Sequence, residues 1–180
     1  AQVVAANEPL FEQALEQPVD VEFTLPDYCP DIARVLKCRV TPWVSSRSVE
    51  GSTMSIEGRA SIALIYADTE GNLCSYAYES PFARTVDLGG APEGGCSVHV
   101  QVGTAYMNCR PVTPRKLDVH GALTLKCRVV SRRLSDILTD LDSPDMQLLR
   151  GSAPATTPMA AAEKYMIVEE ELELEEDKSS

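Results

Sequence analysis

The sequence has little of what catalytic chemistry usually draws on. It contains two histidines, His99 and His120, and no two of its six cysteines stand in the C-x-x-C spacing of zinc or redox sites. Basic residues are outnumbered, 16 against 27 acidic, for a net charge of −11. Such a balance argues against nucleic acid or an anionic membrane as the main partner, because both select a basic surface. No apolar run is long enough to span a bilayer. The first residues, Ala1 to Asn7, lack a basic region followed by an apolar core, so they do not read as an intact signal peptide. The glycine pairs Gly89-Gly90 and Gly94-Gly95 are followed by no Lys-Ser/Thr and open no helix, so a loop over Asp87 to Gly95 is the better reading than a phosphate cradle.

What is present is alternation. Val19, Val21, Phe23 and Leu25 alternate with Asp20, Glu22 and Thr24, the period of a half-buried strand. Ile56, Gly58, Ala60, Ile62, Leu64 and Tyr66 fall on one face of a clearer strand, and Leu117, Val119, Gly121, Leu123, Leu125, Cys127 and Val129 on one face of another. This last strand is long enough that a bend is expected, with Gly121 as its place. Between these lie weaker strands over 35–49, interrupted by Pro42-Trp43, over 73–84 and over 97–109. The connection 67–72 is polar and carries a glycine, as hairpins do. The apolar fraction of 44% suffices for a core. About six strands joined in series, with neighbours antiparallel, define an all-β or strand-dominated fold: an antiparallel sandwich or open barrel.

One stretch stands apart: Leu25-Pro26-Asp27-Tyr28-Cys29-Pro30-Asp31-Ile32-Ala33-Arg34-Val35-Leu36. Pro26 and Pro30 fix their own backbones and restrict the residues before them. The spacing predicts a rigid bend followed by one short helical turn near residues 30–36, capped by Asp27 or Asp31, with Ile32, Val35 and Leu36 inward. Residues 3–17 form either a short amphipathic helix or an extended arm. Helical pieces split at Pro144 follow Ser135, and 151–162 has the composition of a linker. The segment from Glu163 to Ser180 carries eight acidic residues and two lysines, a net of −6 that leaves −5 for the rest. Within it, Val168 to Glu175 echoes Val19 to Pro26, as the first strand of a second domain copy would. The divisions are therefore an arm over 1–17, a β domain over 18–133, a linker over 134–162 and an acidic strand over 163–180.

Candidate functional residues are few. His99 and His120 lie on strand faces opposite the apolar ones and read as solvent-facing. Asp27 and Asp31 read as caps rather than as a carboxylate pair. The six cysteines, with Cys127 in phase with a buried face, read as reduced and structural, as in a cytosolic protein. No catalytic, cofactor or metal site is apparent, and no cofactor is expected. Arg110, Arg115 and Lys116, with Arg128, Arg132 and Arg133, are the candidate partner-binding residues. They form either a basic face for an acidic partner, the glutamate-rich tail among the candidates, or ordinary charged strand edges.

The bend stretch, Gly58 to Tyr66 with Glu79-Ser80-Pro81-Phe82, and Asn108 to Leu123 with its Arg115-Lys116-Leu117 core together resemble the SPOCS domain family. That family occurs in SipL-like and other clostridial proteins of spore-forming Firmicutes. The resemblance covers about residues 10–133. It implies a non-enzymatic assembly module of the spore envelope or coat, with a protein partner that is another coat morphogenetic protein or a second copy. It also implies a cytoplasmic, mother-cell location, the cell or spore surface being the alternative. No LysM-like segment is present, so no peptidoglycan-binding role is carried over. Outside the resemblance, the rival readings are a self-assembling subunit that exchanges terminal strands and a carbohydrate- or small-molecule-binding sandwich.

Overall fold

The computed structural model describes residues 2–137, together with Gly151, Ser152, Pro154, Met166 and Val168. Where the helical pieces are expected to begin, residues 135–137 belong to β6; the remainder of the expected linker helix and, Met166 and Val168 apart, the acidic strand with its echo at Val168 to Glu175 lie outside the described residues. Six strands account for nearly all of the rest: β1 (Gln2–Thr24), β2 (Ile32–Glu50), β3 (Thr53–Asp68), β4 (Leu73–Asp87), β5 (Cys96–Thr113) and β6 (Lys116–Ile137). They form two antiparallel three-stranded sheets, ordered β1-β6-β5 and β2-β3-β4. The fold is the all-β sandwich that the alternation predicts.

Proline sorts the strands. Pro9 and Pro18 lie in β1, Pro42 in β2, Pro81 in β4 and Pro111 in β5, while β3 and β6 contain none. A residue without an N–H cannot complete a ladder on both sides, so it is confined to sheet edges. β3 and β6 are the two central strands, and they are also the two with the cleanest alternation. Their inward residues are buried without exception: Met54, Ile56, Ala60, Ile62, Leu64 and Tyr66 from β3, and Leu117, Val119, Leu123, Leu125, Cys127 and Val129 from β6.

The strands run 15 to 23 residues, well beyond the usual five or six, and the core is correspondingly drawn out into two clusters. One gathers Phe23, Leu25, Ile32, Ile62, Leu64, Tyr66, Leu117 and Leu123. The other gathers Phe11, Met54, Ile56, Val100, Leu125 and Val129. Phe82 packs against both, with its ring lying over Gly58 where a Cβ would collide with it and with the Trp43 carbonyl. Gly121 has the comparable role in β6. The β5 backbone at Tyr106 and Met107 presses onto it, beside a bulge between Thr104 and Tyr106. The irregularity expected at Gly121 is thus a close backbone approach from the neighbouring strand.

The sandwich is asymmetric. β2 and β5 run close together along one seam, crossed by a hydrogen bond from Thr104 Oγ1 to the Val40 carbonyl (3.1 Å). β1 and β4, on the opposite side, barely approach. There the sheets are joined by aromatic side chains: Phe23 stacks on Tyr78 with centroids 4.7 Å apart and planes 2° from parallel, and meets Tyr76 at 5.9 Å.

Two expectations need correction. The short helical turn near residues 30–36 is absent. Residues 27–29 form a turn closed by the Cys29 N–H donating to the Pro26 carbonyl (2.9 Å), and β2 begins at Ile32. The apparent helical spacing comes from bulges. Ala33 and Leu36 are extra residues between successive partners of β3, so Ile32, Val35 and Cys38 point inward at intervals of three instead of two. Residues 3–17 are neither helix nor free arm. They are the first part of β1, paired with β6 from Gln2↔Ile137 to Thr24↔Lys116 with one bulge between Pro9 and Phe11. The expected boundaries at 17/18 and 133/134 therefore fall inside β1 and β6.

Candidate functional site

The bend between β1 and β2 is held by more side-chain to backbone bonds than any other turn among the described residues. The chain leaves one sheet at Leu25 and enters the other at Ile32, and both ends are tied to the β5–β6 hairpin. The Leu25 N–H donates to the Arg115 carbonyl (2.7 Å) and the Ile32 N–H to the Pro114 carbonyl (2.7 Å). Arg115 then closes over the bend. Its Nη1 donates to the Cys29 carbonyl (3.1 Å) and to Asp31 Oδ1 (2.8 Å). Its Nη2 donates to the Pro26 carbonyl (2.6 Å) and the Leu25 carbonyl (3.2 Å), with Asp27 Oδ1 at 3.9 Å. A planar guanidinium offers several donors in fixed directions, which suits a tight turn whose carbonyls point inward. Asp31 is thus a partner for Arg115 and caps no helix.

Beneath the bend, the fully buried Tyr66 donates its hydroxyl to the Pro30 carbonyl (3.0 Å). Burial first, then the neighbouring Cys29 and Cys74, push its phenol up to about 12. It remains a protonated donor at any physiological pH. On the adjoining β3–β4 hairpin, Asp68 Oδ1 accepts from the backbone N–H groups of Glu70 and Asn72 (2.9 and 2.8 Å), and its Oδ2 accepts from Asn72 Nδ2 (3.0 Å). The Asn72 side-chain bond, assisted by the backbone bonds and opposed by desolvation, holds this carboxyl below its ordinary range.

This latched end carries exposed apolar side chains. Tyr28 at the tip of the bend is 82% exposed, Leu73 63%, Val112 51% and Leu36 44%. The pairings Thr24↔Lys116, Ile32↔Asp68, Ala67↔Leu73 and Thr113↔Lys116 place all four toward the same end of the sandwich. Single exposed apolar residues are ordinary, but several gathered around a rigid turn form the kind of patch that protein partners use. The sequence marked this bend as unusual through its two prolines. It gave no sign that Tyr28 would be presented outward.

The six candidate cations are not gathered into one face. Arg115 and Lys116 lie at the latched end and Arg132 and Arg133 at the far end of β6, roughly 56 Å away at 3.3 Å per residue. Most have acidic partners within the fold. Arg110 pairs with Asp118 (3.0 Å), Lys116 with Glu22, Arg128 with Glu12 (3.8 Å), and Arg133 with Glu8 (3.1 Å) and Glu93 (4.0 Å). For Arg132 the bonds found among the described residues are backbone ones: it pairs with Asn7 in the ladder, and its N–H donates to the Gly95 carbonyl (3.1 Å). β1 therefore supplies many of the acids that the cations of β6 face, in cross-strand pairs.

The histidines are separate. His99 Nε2 lies 3.1 Å from Ser97 Oγ on β5, and the exposed His120 faces Asp20 at 3.8 Å. His99 lines a shallow groove of about 820 Å³ on the outer face of the β1-β6-β5 sheet, with Asn7, Glu12, Gln101, Lys126 and Arg128. No Phe, Tyr or Trp lines it, so it lacks the ring on which a sugar usually stacks. Among the described residues no group of three or more His, Cys, Asp or Glu side chains is placed to hold a metal ion. No helix among them is long and apolar enough to cross a membrane.

These features define an elongated two-sheet antiparallel sandwich with a rigid, apolar-tipped turn at one end. Residues 31–112 match the family model described as SipL, SPOCS domain, the family that the sequence resemblance points to. The matched span begins at Asp31 and ends at Val112. It leaves out most of the bend, the Arg115-Lys116-Leu117 core and both β1 and β6. No curated protein and no solved structure matches the chain.

Proposed function

We propose that the protein is a non-enzymatic protein-interaction module that contributes to assembly of the spore envelope or coat, and that it docks its partner on the latched end of the sandwich. The sporulation context rests on the SPOCS match. The docking end rests on one observation: Tyr28, 82% exposed, sits on a turn immobilised by the guanidinium of Arg115. A large ring presented on a pre-ordered backbone loses little conformational freedom on binding, and Tyr is enriched among the residues that dominate interfaces. Leu73, Val112 and Leu36 extend the apolar area around it.

The test compares the full chain with Tyr28→Ser and Leu73→Ser variants in affinity capture from sporulating and from vegetative cells of a spore-forming host. The expected result is a partner captured from sporulating cells only and lost with either variant, while the melting midpoint is unchanged. Capture that survives both substitutions would move the interface elsewhere. Capture from vegetative cells alone would remove the sporulation role. For self-assembly by terminal strand exchange, the described N-terminal strand offers no support. β1 is paired along its length with β6 of its own chain, and Pro9 and Pro18 interrupt its outer edge.

A further inference from the structure

Cys38 on β2 and Cys109 on β5 lie on the two strands that run along the seam where the sheets approach most closely. Their strands belong to different sheets and share no ladder, yet they run side by side, and the Thr104 to Val40 bond crosses the gap two residues from Cys38 and five from Cys109. Both cysteines are half-buried, unbonded covalently, and packed against the same core cluster. Each thiol is the leading influence on the other's titration. The remaining four cysteines are placed differently: Cys29 and Cys74 flank Tyr66, Cys127 is buried and Cys96 is exposed.

We propose that Cys38 and Cys109 form a dithiol site that closes to a disulfide when the protein meets a low-molecular-weight disulfide, stapling the two sheets together along the seam. Such a bond would enclose the chain from β2 to β5, including all of β3 and β4, and long closed loops restrict the unfolded chain most. The reaction runs in two exchanges. The Cys38 thiolate attacks one sulfur of the small disulfide, forming a mixed disulfide and expelling one small thiolate. Cys109, deprotonated in turn, attacks the Cys38 sulfur, forming the Cys38–Cys109 bond and expelling the second small thiolate. Two protein thiols are oxidised, one disulfide is reduced to two thiols, and the two protons pass to the departing thiolates.

The order follows from the opposite directions in which the two thiols shift. The hydrogen bond from Cys109 holds the Cys38 thiol below its ordinary range, against the opposing effect of burial. This favours Cys38 as the first nucleophile. The same bond is the leading cause that raises Cys109. It disappears once Cys38 is capped, which frees Cys109 to complete the exchange.

The experiment treats the full chain with oxidised glutathione, blocks residual thiols with iodoacetamide, and maps the digest by mass. The expected product is a monomer with Cys38 and Cys109 peptides joined. Its melting midpoint should rise by roughly 5–15 °C, reversed by dithiothreitol. Cys109→Ser should stop at glutathionylated Cys38, and Cys38→Ser should leave Cys109 largely unmodified. The proposal is overturned if Cys38 and Cys109 are recovered alkylated, if each carries its own glutathione, or if either is joined to Cys96 of another copy. Should a serine variant fail to fold, the map of the unsubstituted chain still decides.

Discussion

Arg115 and Asp31 stand 84 residues apart in the chain and meet at 2.8 Å, with the same guanidinium also bound to the carbonyls of Leu25, Pro26 and Cys29. One side chain thereby fixes the passage between the two sheets. Arg115→Ala should cost about 2–4 kcal/mol in urea unfolding, from charge-assisted hydrogen bonds discounted for the arginine's partial exposure. Arg115→Lys should recover less than half of that loss, because an ammonium cannot reproduce the planar fork. A lysine variant as stable as the original chain would mean that charge alone holds the bend.

Two glycines give opposite expectations. At Gly58 an added methyl group meets the Phe82 ring and the Trp43 carbonyl, whereas at Gly103 it meets nothing within 4 Å. Gly58→Ala should destabilise the protein by about 1–3 kcal/mol. Gly103→Ala should change stability by no more than about 0.5 kcal/mol. Melting curves of the two variants side by side test whether the waist between the core clusters is as tight as the packing indicates.

Acid should loosen the β3–β4 hairpin. Asp68 titrates below the ordinary carboxylate value of 3.8 because Asn72 and the hairpin N–H groups bind its ionised form. A carboxyl depressed in the folded state stabilises the protein fully above its unfolded pKa, and that contribution is lost as pH falls through the folded value. The stability gap between the original chain and Asp68→Asn should therefore be constant above about pH 5 and shrink below it. Urea titrations at successive pH values would show this, and a gap independent of pH down to 2 would remove the carboxylate from the account.

The span matched by the SPOCS family model, residues 31–112, lacks two of the three strands of the β1-β6-β5 sheet and the Arg115 latch. A fragment limited to 31–112 should fail to fold, with collapsed NMR dispersion and no cooperative melt. A fragment of residues 2–137 should fold in a single transition. A folded, cooperative 31–112 fragment would show the β2-β3-β4 sheet to be self-sufficient.

The fold was legible where burial repeats every second residue. β3 and β6, central in their sheets and covered on the inner face, display that repeat without interruption. β2 did not, because bulges at Ala33 and Leu36 space its inward residues by three and imitate a helix. Residues 3–17 were obscured differently. The bulge between Pro9 and Phe11 turns both Leu10 and Phe11 toward the core, and an outward-facing Ala14 beside the inward Leu15 completes a helical spacing. The site was legible only as an unusual bend. Its latch depends on Arg115, and its seam thiols on Cys38 meeting Cys109. Such long-range pairings leave no periodic mark in the sequence. The charged residues of β6 looked like a basic face because their acidic partners lie mostly on β1, at the other end of the chain.

The strand order has a consequence for how the molecule is made. β6 is the centre of its sheet, yet it is the last of the six strands to be synthesised, and β1 is the first. Thr24 must wait for Lys116, and Gln2 for Ile137, so β1 leaves the ribosome with no hydrogen-bonding partner and stays unpaired while four other strands emerge. Contacts of such long sequence separation slow folding and prolong exposure of unpaired strand. The two prolines of β1 lie in the strand that is unaccompanied longest, where a residue unable to donate a backbone hydrogen bond hinders premature pairing with a neighbouring nascent chain.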